Sequence, residues 1–118
     1  MAKEYLERLE AMLRPAIRTL DGQVPVEINH FFSGAAAYAD GRICISLTPV
    51  GLAMKLPENS RTRLLKTGAK ALRYFPKGPI KKDYVVLPPA IRNDKRKLKY
   101  WASRSLVYAL TLPKPKRK

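Results

Sequence analysis

The side chains in this sequence that could do chemistry are few, and most of them are cations. The densest run is Arg92-Asn-Asp-Lys-Arg-Lys-Leu-Lys-Tyr-Trp101. Arg92, Lys95, Arg96, Lys97 and Lys99 can each neutralise a phosphate, and Tyr100 and Trp101 offer faces on which bases stack. Lys81 and Lys82 are expected to join the same nucleic-acid-binding patch. Positive charges in the first turns of a helix oppose its dipole, so a bound phosphate using the free N–H groups there would relieve the repulsion. A solvated face whose lysine stems cover the sheet accounts for the same run without a ligand. Trp101 fits the core face of its helix better than a stacking surface.

Catalytic chemistry finds no constellation. His30 shares a strand face with Val26, Ile28 and Phe32 and has no evident nucleophile partner, so a core or sheet-end histidine is expected. Cys44 falls on the more polar face of its strand, away from any cation or helix N-terminus that would activate a thiol. Ser33–Gly34 lacks the spacing of a phosphate-binding loop and precedes no helix, which leaves a β-bulge or a close backbone approach. Beyond residue 60 the acids are Asp83 and Asp94 alone, which disfavours a paired-carboxylate site and a Mg²⁺ or Ca²⁺ cluster. One His and one Cys do not make a protein zinc site. A non-enzymatic protein without cofactor or metal is expected.

The charge is placed asymmetrically. The chain has 118 residues and a net charge of +15. Residues 1–30 net −1, residues 31–60 net zero, and residues 61–118 carry eighteen Lys/Arg for a net of +16. Such a half points to a polyanion partner, DNA or RNA, bound without sequence preference. At 46% apolar residues the chain can bury a core, which excludes wholesale disorder. No apolar run is long enough for a membrane helix, and the charged start lacks a signal-peptide core. A cytoplasmic protein is expected.

These residues are positioned by elements that the patterning outlines. Leu6, Leu9, Leu13, Ala16, Ile17 and Leu20 mark one face of a helix, with Pro15 expected to stop or kink it near Leu13–Arg14. Val26 to Phe32 alternates as a strand that Ala35–Ala39 continues past Ser33–Gly34. Asp40–Gly41 is a hairpin turn, 42–48 is a strand with Ile43, Ile45 and Leu47 on one face, and Leu52, Met54 and Leu56 mark a third. Pro57 opens a second helix that Gly68 ends. Residues 70–76 and 81–88 read as two more strands, with Pro88–Pro89 ending the second. Asn93 or Asp94 caps the last helix, whose core face is Leu98, Ala102, Ser105, Ala109 and Leu112. The result is one α+β domain over residues 1–112, an antiparallel sheet with its apolar face covered by helices, and a disordered basic tail over 113–118.

The stretch Phe31-Phe-Ser-Gly-Ala-Ala-Ala-Tyr38 followed by Asp40–Gly41 resembles the signature of the TfoX/Sxy family N-terminal domain. In that family a Met-Phe-Gly-Gly segment precedes a small residue, Gly, an apolar residue and Tyr, then Asp-Gly. Leu52-Ala-Met-Lys55, the Arg63 helix ending in Gly68, Phe75, and the stretch from Pro88 to Trp101 fall at the family's intervals. The resemblance covers roughly residues 5–110. It implies a two-layer α-β(3)-α-β(2)-α fold similar to secretion chaperones, and a link to competence and transcription regulation. Ser33 and Ala36 stand where the family has glycine, which puts in doubt any role needing bare backbone there. The helical second domain of full-length family regulators is expected to be missing.

One further stretch asks for a partner. Leu106-Val-Tyr-Ala-Leu110 is apolar around its whole circumference, whereas an outer helix shows a polar face. Leu106, Val107 and Leu110 are therefore expected at an interface, in a homodimer or with a regulator protein. Two functions follow: a module that contacts nucleic acid or a DNA-bound regulator through its basic half, or a protein-interaction domain with no nucleic-acid contact.

Overall fold

Pro15 does not stop the first helix. In the computed structural model, which describes residues 2–20, 22–73 and 77–113, α1 runs unbroken over Ala2–Leu20. The proline ring is exposed, and the two residues that bracket it on the inner face, Leu13 and Ala16, are fully buried. The helix loses the hydrogen bond that an amide at 15 would give the Ala11 carbonyl, and burial of its apolar face outweighs that loss.

The strand expected over 26–39 is a hairpin. β1 (Val26–Phe31) pairs antiparallel with β2 (Gly34–Ala39), and Phe31 faces Gly34 across a two-residue turn, Phe32–Ser33. Phe32 takes the left-handed conformation at φ 49°. Gly34 is required by close approach: a Cβ there would lie 2.0 Å from the Leu47 carbonyl oxygen. The Asp40–Gly41 turn then leads to β3 (Arg42–Thr48), which pairs with β4 (Gly51–Lys55).

β3 departs from strict alternation. Ala37 pairs with Ile45 and Tyr38 with Ile43, so Cys44 is a bulge residue without a partner. The extra residue carries Cys44 into the core cluster beside Ile45 and leaves Ile43 half-buried. The polar-face placement expected for Cys44 is thus corrected.

After β4, Pro57 stands at the N-cap position of α2 (Glu58–Lys66). Gly68 ends it at φ 107°, with the Ala69 amide donating to the Leu64 carbonyl. β5 (Lys70–Leu72) is shorter than expected, and residues 74–76 of the expected strand lie outside the described residues. β6 (Lys81–Val86) pairs with both β4 and β5. The six-stranded antiparallel sheet has the order β1-β2-β3-β4-β6-β5; α2 crosses β6 to set β5 at the edge.

Pro88–Pro89 ends β6 and also starts a one-turn helix, α3 (Pro89–Arg92), because proline suits a first helical position. α4 (Lys95–Ala109) follows. Leu9 and Leu13 of α1, Leu64 of α2, Ile91 of α3 and Leu98, Trp101 and Leu106 of α4 share one core cluster with the inward residues of β2, β3, β4 and β6. The α+β class stands, with six strands among the described residues where the sequence suggests five. The basic tail beyond Pro113 lies outside the described residues.

Candidate nucleic-acid interface

Asp94 settles the start of α4. Its Oδ1 accepts from the backbone N–H groups of Arg96 at 3.0 Å and Lys97 at 3.1 Å, while its carbonyl accepts from Leu98. The helix N-terminus thus already holds an anion, its own carboxylate. The amides of Arg96, Lys97 and Leu98 are therefore occupied and are not the free donors expected for a phosphate. Replacing Asp94 with Ala is expected to lower stability by about 1 kcal/mol, read as an earlier thermal midpoint. Asp94→Asn, which can still cap, should recover most of it.

Around that cap, Lys95, Arg96, Lys97 and Lys99 are exposed and Arg92, on the last turn of α3, is half-buried. The five lie within residues 92–99, at the junction of α3 and α4. Two more cations belong with them. The Arg104 guanidinium lies 5.4 Å from the centre of the Tyr100 ring, and that of Arg63, on α2, lies 5.8 Å from the centre of the Trp101 ring. Lys97, Tyr100 and Arg104 follow one another at helical spacing, a signal available in the sequence; Arg63 joins only through the tertiary packing of α2 on α4. Tyr100 is exposed and meets Trp101 edge-on at 4.9 Å. Trp101 itself is buried in the core.

Lys81 and Lys82 do not join this group. They start β6, whereas α3 and α4 follow its far end, about 17 Å away at the usual rise per strand residue. They lie instead beside the start of α2, where an Arg61 guanidinium nitrogen donates to the Lys82 carbonyl. Among the described residues, no ion pair neutralises any cation of α2, β5, β6, α3 or α4; the pair formed is Arg42 with Asp40, at 3.1 Å.

The residues expected at an interface separate too. Leu106 is 0% exposed within the chain's own core, so it meets no other chain in this fold. Leu110 is half-buried against that core, and Val107 is 46% exposed. The apolar circumference reflects two inward-facing residues, Leu106 and Ala109, flanked by one outward valine. Val107 borders a groove of about 360 Å³ with Pro57, Ser103, Arg104 and Tyr108.

His30 is exposed on the edge strand β1 opposite Ala35, at the sheet end rather than in the core. Burial pushes the Cys44 thiol up to about 12 from 9.0. Its sulfur lies 3.7 Å from the Ala37 carbonyl. A thiol that stays protonated across the neutral range is a poor nucleophile. In the native protein at pH 8, Cys44 is expected to resist Ellman's reagent and to react fully in denaturant. Because the folded-state value is the raised one, this group favours the fold below pH 9 and progressively disfavours it from there towards pH 12. No group of three His, Cys, Asp or Glu among the described residues could hold a metal ion, and none of the described helices is long and apolar enough to cross a membrane.

With the sheet order, the Asp40–Gly41 hairpin and the capped basic helix in place, the family can be stated. A family model for the TfoX N-terminal domain matches residues 18–109. The chain belongs to that family. The match starts near the end of α1 and stops at the last residue of α4, so the TfoX N-terminal domain spans the whole sheet and every cation placed above. Comparison with curated proteins and with solved structures gives no match.

Proposed function

We propose that this TfoX N-terminal domain is a non-enzymatic, cytoplasmic binding module, related to competence or transcription regulation, that associates with nucleic acid through the first turns of α4. One observation carries the reading. Lys95, Arg96, Lys97 and Lys99 stand exposed around a helix start whose one carboxylate is spent as a cap, with Arg92, Arg63 and Arg104 beside them. Cations held together without counter-charges repel one another, and a polyanion relieves that repulsion while releasing its own counterions. Charge neutralisation alone carries no sequence information, so affinity should be independent of sequence. Fluorescence anisotropy with two duplexes of unrelated sequence tests this: the two affinities should agree within about twofold. A strong preference for one duplex would replace backbone contact with direct readout.

A second reading, a homodimer or a regulator protein docked on α4, has the exposed Val107 and its groove in favour. If that groove joins two copies, Val107→Lys should convert a dimer into a folded monomer in light scattering. A wild-type protein that is already monomeric removes the dimer.

A further inference from the structure

The cations that the fold separates from α4 have a surface of their own. Between α2 and the β5–β6 edge lies a groove of about 320 Å³. Its apolar side chains are Leu65, Ala71, Ile80 and Val85. Leu65 and Ile80 are 47% and 44% exposed, two of the few large apolar residues that the chain leaves to water. Among the described residues of the lining, Arg61, Lys81 and Lys82 carry charge and none is an acid.

We infer that this groove binds an acidic peptide segment carrying aliphatic side chains. The aliphatic floor asks for Leu-like groups rather than bases, and Tyr84, the ring among the described lining residues, already has the Lys55 ammonium 5.2 Å from its centre. The cationic rim asks for carboxylates. Arg61 is preset for them: its Nε donates to the Leu56 carbonyl at 2.9 Å and a terminal nitrogen donates to the Lys82 carbonyl, so the guanidinium is fixed before a ligand arrives. β5, which contributes Ala71, is the last strand of the sheet among the described residues, so an extended peptide beside it can also pair with its outer edge. This surface is distinct from the start of α4 and does not depend on nucleic-acid binding there.

The test uses the full chain and two labelled peptides of equal charge, acetyl-Asp-Glu-Leu-Leu-Asp-Glu and acetyl-Asp-Glu-Gly-Gly-Asp-Glu, at physiological salt. The leucine peptide is expected to bind about tenfold tighter or more, the effect of partly burying two leucines. Leu65→Ser and, separately, Ile80→Ser should each remove most of that difference while leaving the thermal midpoint unchanged. Lys81→Glu with Lys82→Glu should weaken the leucine peptide by at least about tenfold. Gln at positions 95, 96 and 97 should leave it within about twofold. Equal affinity for the two peptides would overturn the inference, and so would a loss as large from the α4 changes as from those at Lys81 and Lys82. Failure to bind the leucine peptide at millimolar concentration would overturn it as well.

Discussion

Gly34→Ala is expected to destabilise the fold by about 3 kcal/mol or more, lowering the thermal midpoint by roughly 10 °C or more. The added methyl would sit 2.0 Å from the Leu47 carbonyl oxygen, 2.9 Å from the Thr48 Cα and 3.0 Å from the Leu47 carbonyl carbon. All three atoms are backbone of β3, so no side chain can swing aside. Relief requires the β2–β3 ladder to part at the end where Ala35 faces Leu47. The Phe32–Ser33 turn is poorly able to absorb the shift, since Phe32 already holds a positive φ. Gly41→Ala is the control: φ is 83° there and nothing lies within 4 Å of an added Cβ, so the cost should be the backbone term alone, about 1 kcal/mol. Equal losses in a calorimetric comparison would show that contact with β3 is not what requires glycine at position 34.

Converting Lys95, Arg96 and Lys97 together to Gln is expected to weaken duplex DNA binding about a hundredfold near 0.15 M salt. Each phosphate contact contributes about 0.9 to the slope of log affinity against log salt, so three lost contacts should make it shallower by about 2.7. The loss should be the same on every sequence. The fold should survive, because all three side chains are exposed and their repulsion from the positive helix end is relieved. A loss confined to one preferred sequence would indicate base contacts, which typically cost about 1–3 kcal/mol at one site. An unchanged affinity would take the start of α4 out of the interface.

What the sequence makes legible depends on whether a signal is periodic and local. The apolar faces of α1 and α4, the β3–β4 pair and the α2 boundaries all rest on such signals. Three features escape them. The Phe32–Ser33 turn places Phe, not Gly or Asn, at a positive φ, so the usual turn chemistry is missing and two strands read as one. The bulge at Cys44 moves a residue from the outer face to the core without altering the apparent alternation. α3 is disguised by Pro88–Pro89, which ends a strand and starts a helix. At the site, Lys95 to Lys99 keep their neighbours because α4 holds them, and the sequence narrows the cap to Asn93 or Asp94 just ahead of them. Lys81 and Lys82 share the charge of these residues but not their place, because the length of β6 separates the two groups. Arg63 arrives through the packing of Trp101, a contact across 38 positions of chain that no local pattern records.

The proposed contact is between the α4 cations and phosphates. It is tested most directly by the salt dependence of wild-type binding to a short duplex, followed by anisotropy from low to moderately high salt. Five to seven contacts predict a straight line of log affinity against log salt with a slope of about −4.5 to −6.3, whatever the duplex sequence. A slope near zero, or no measurable binding at physiological salt, would contradict it.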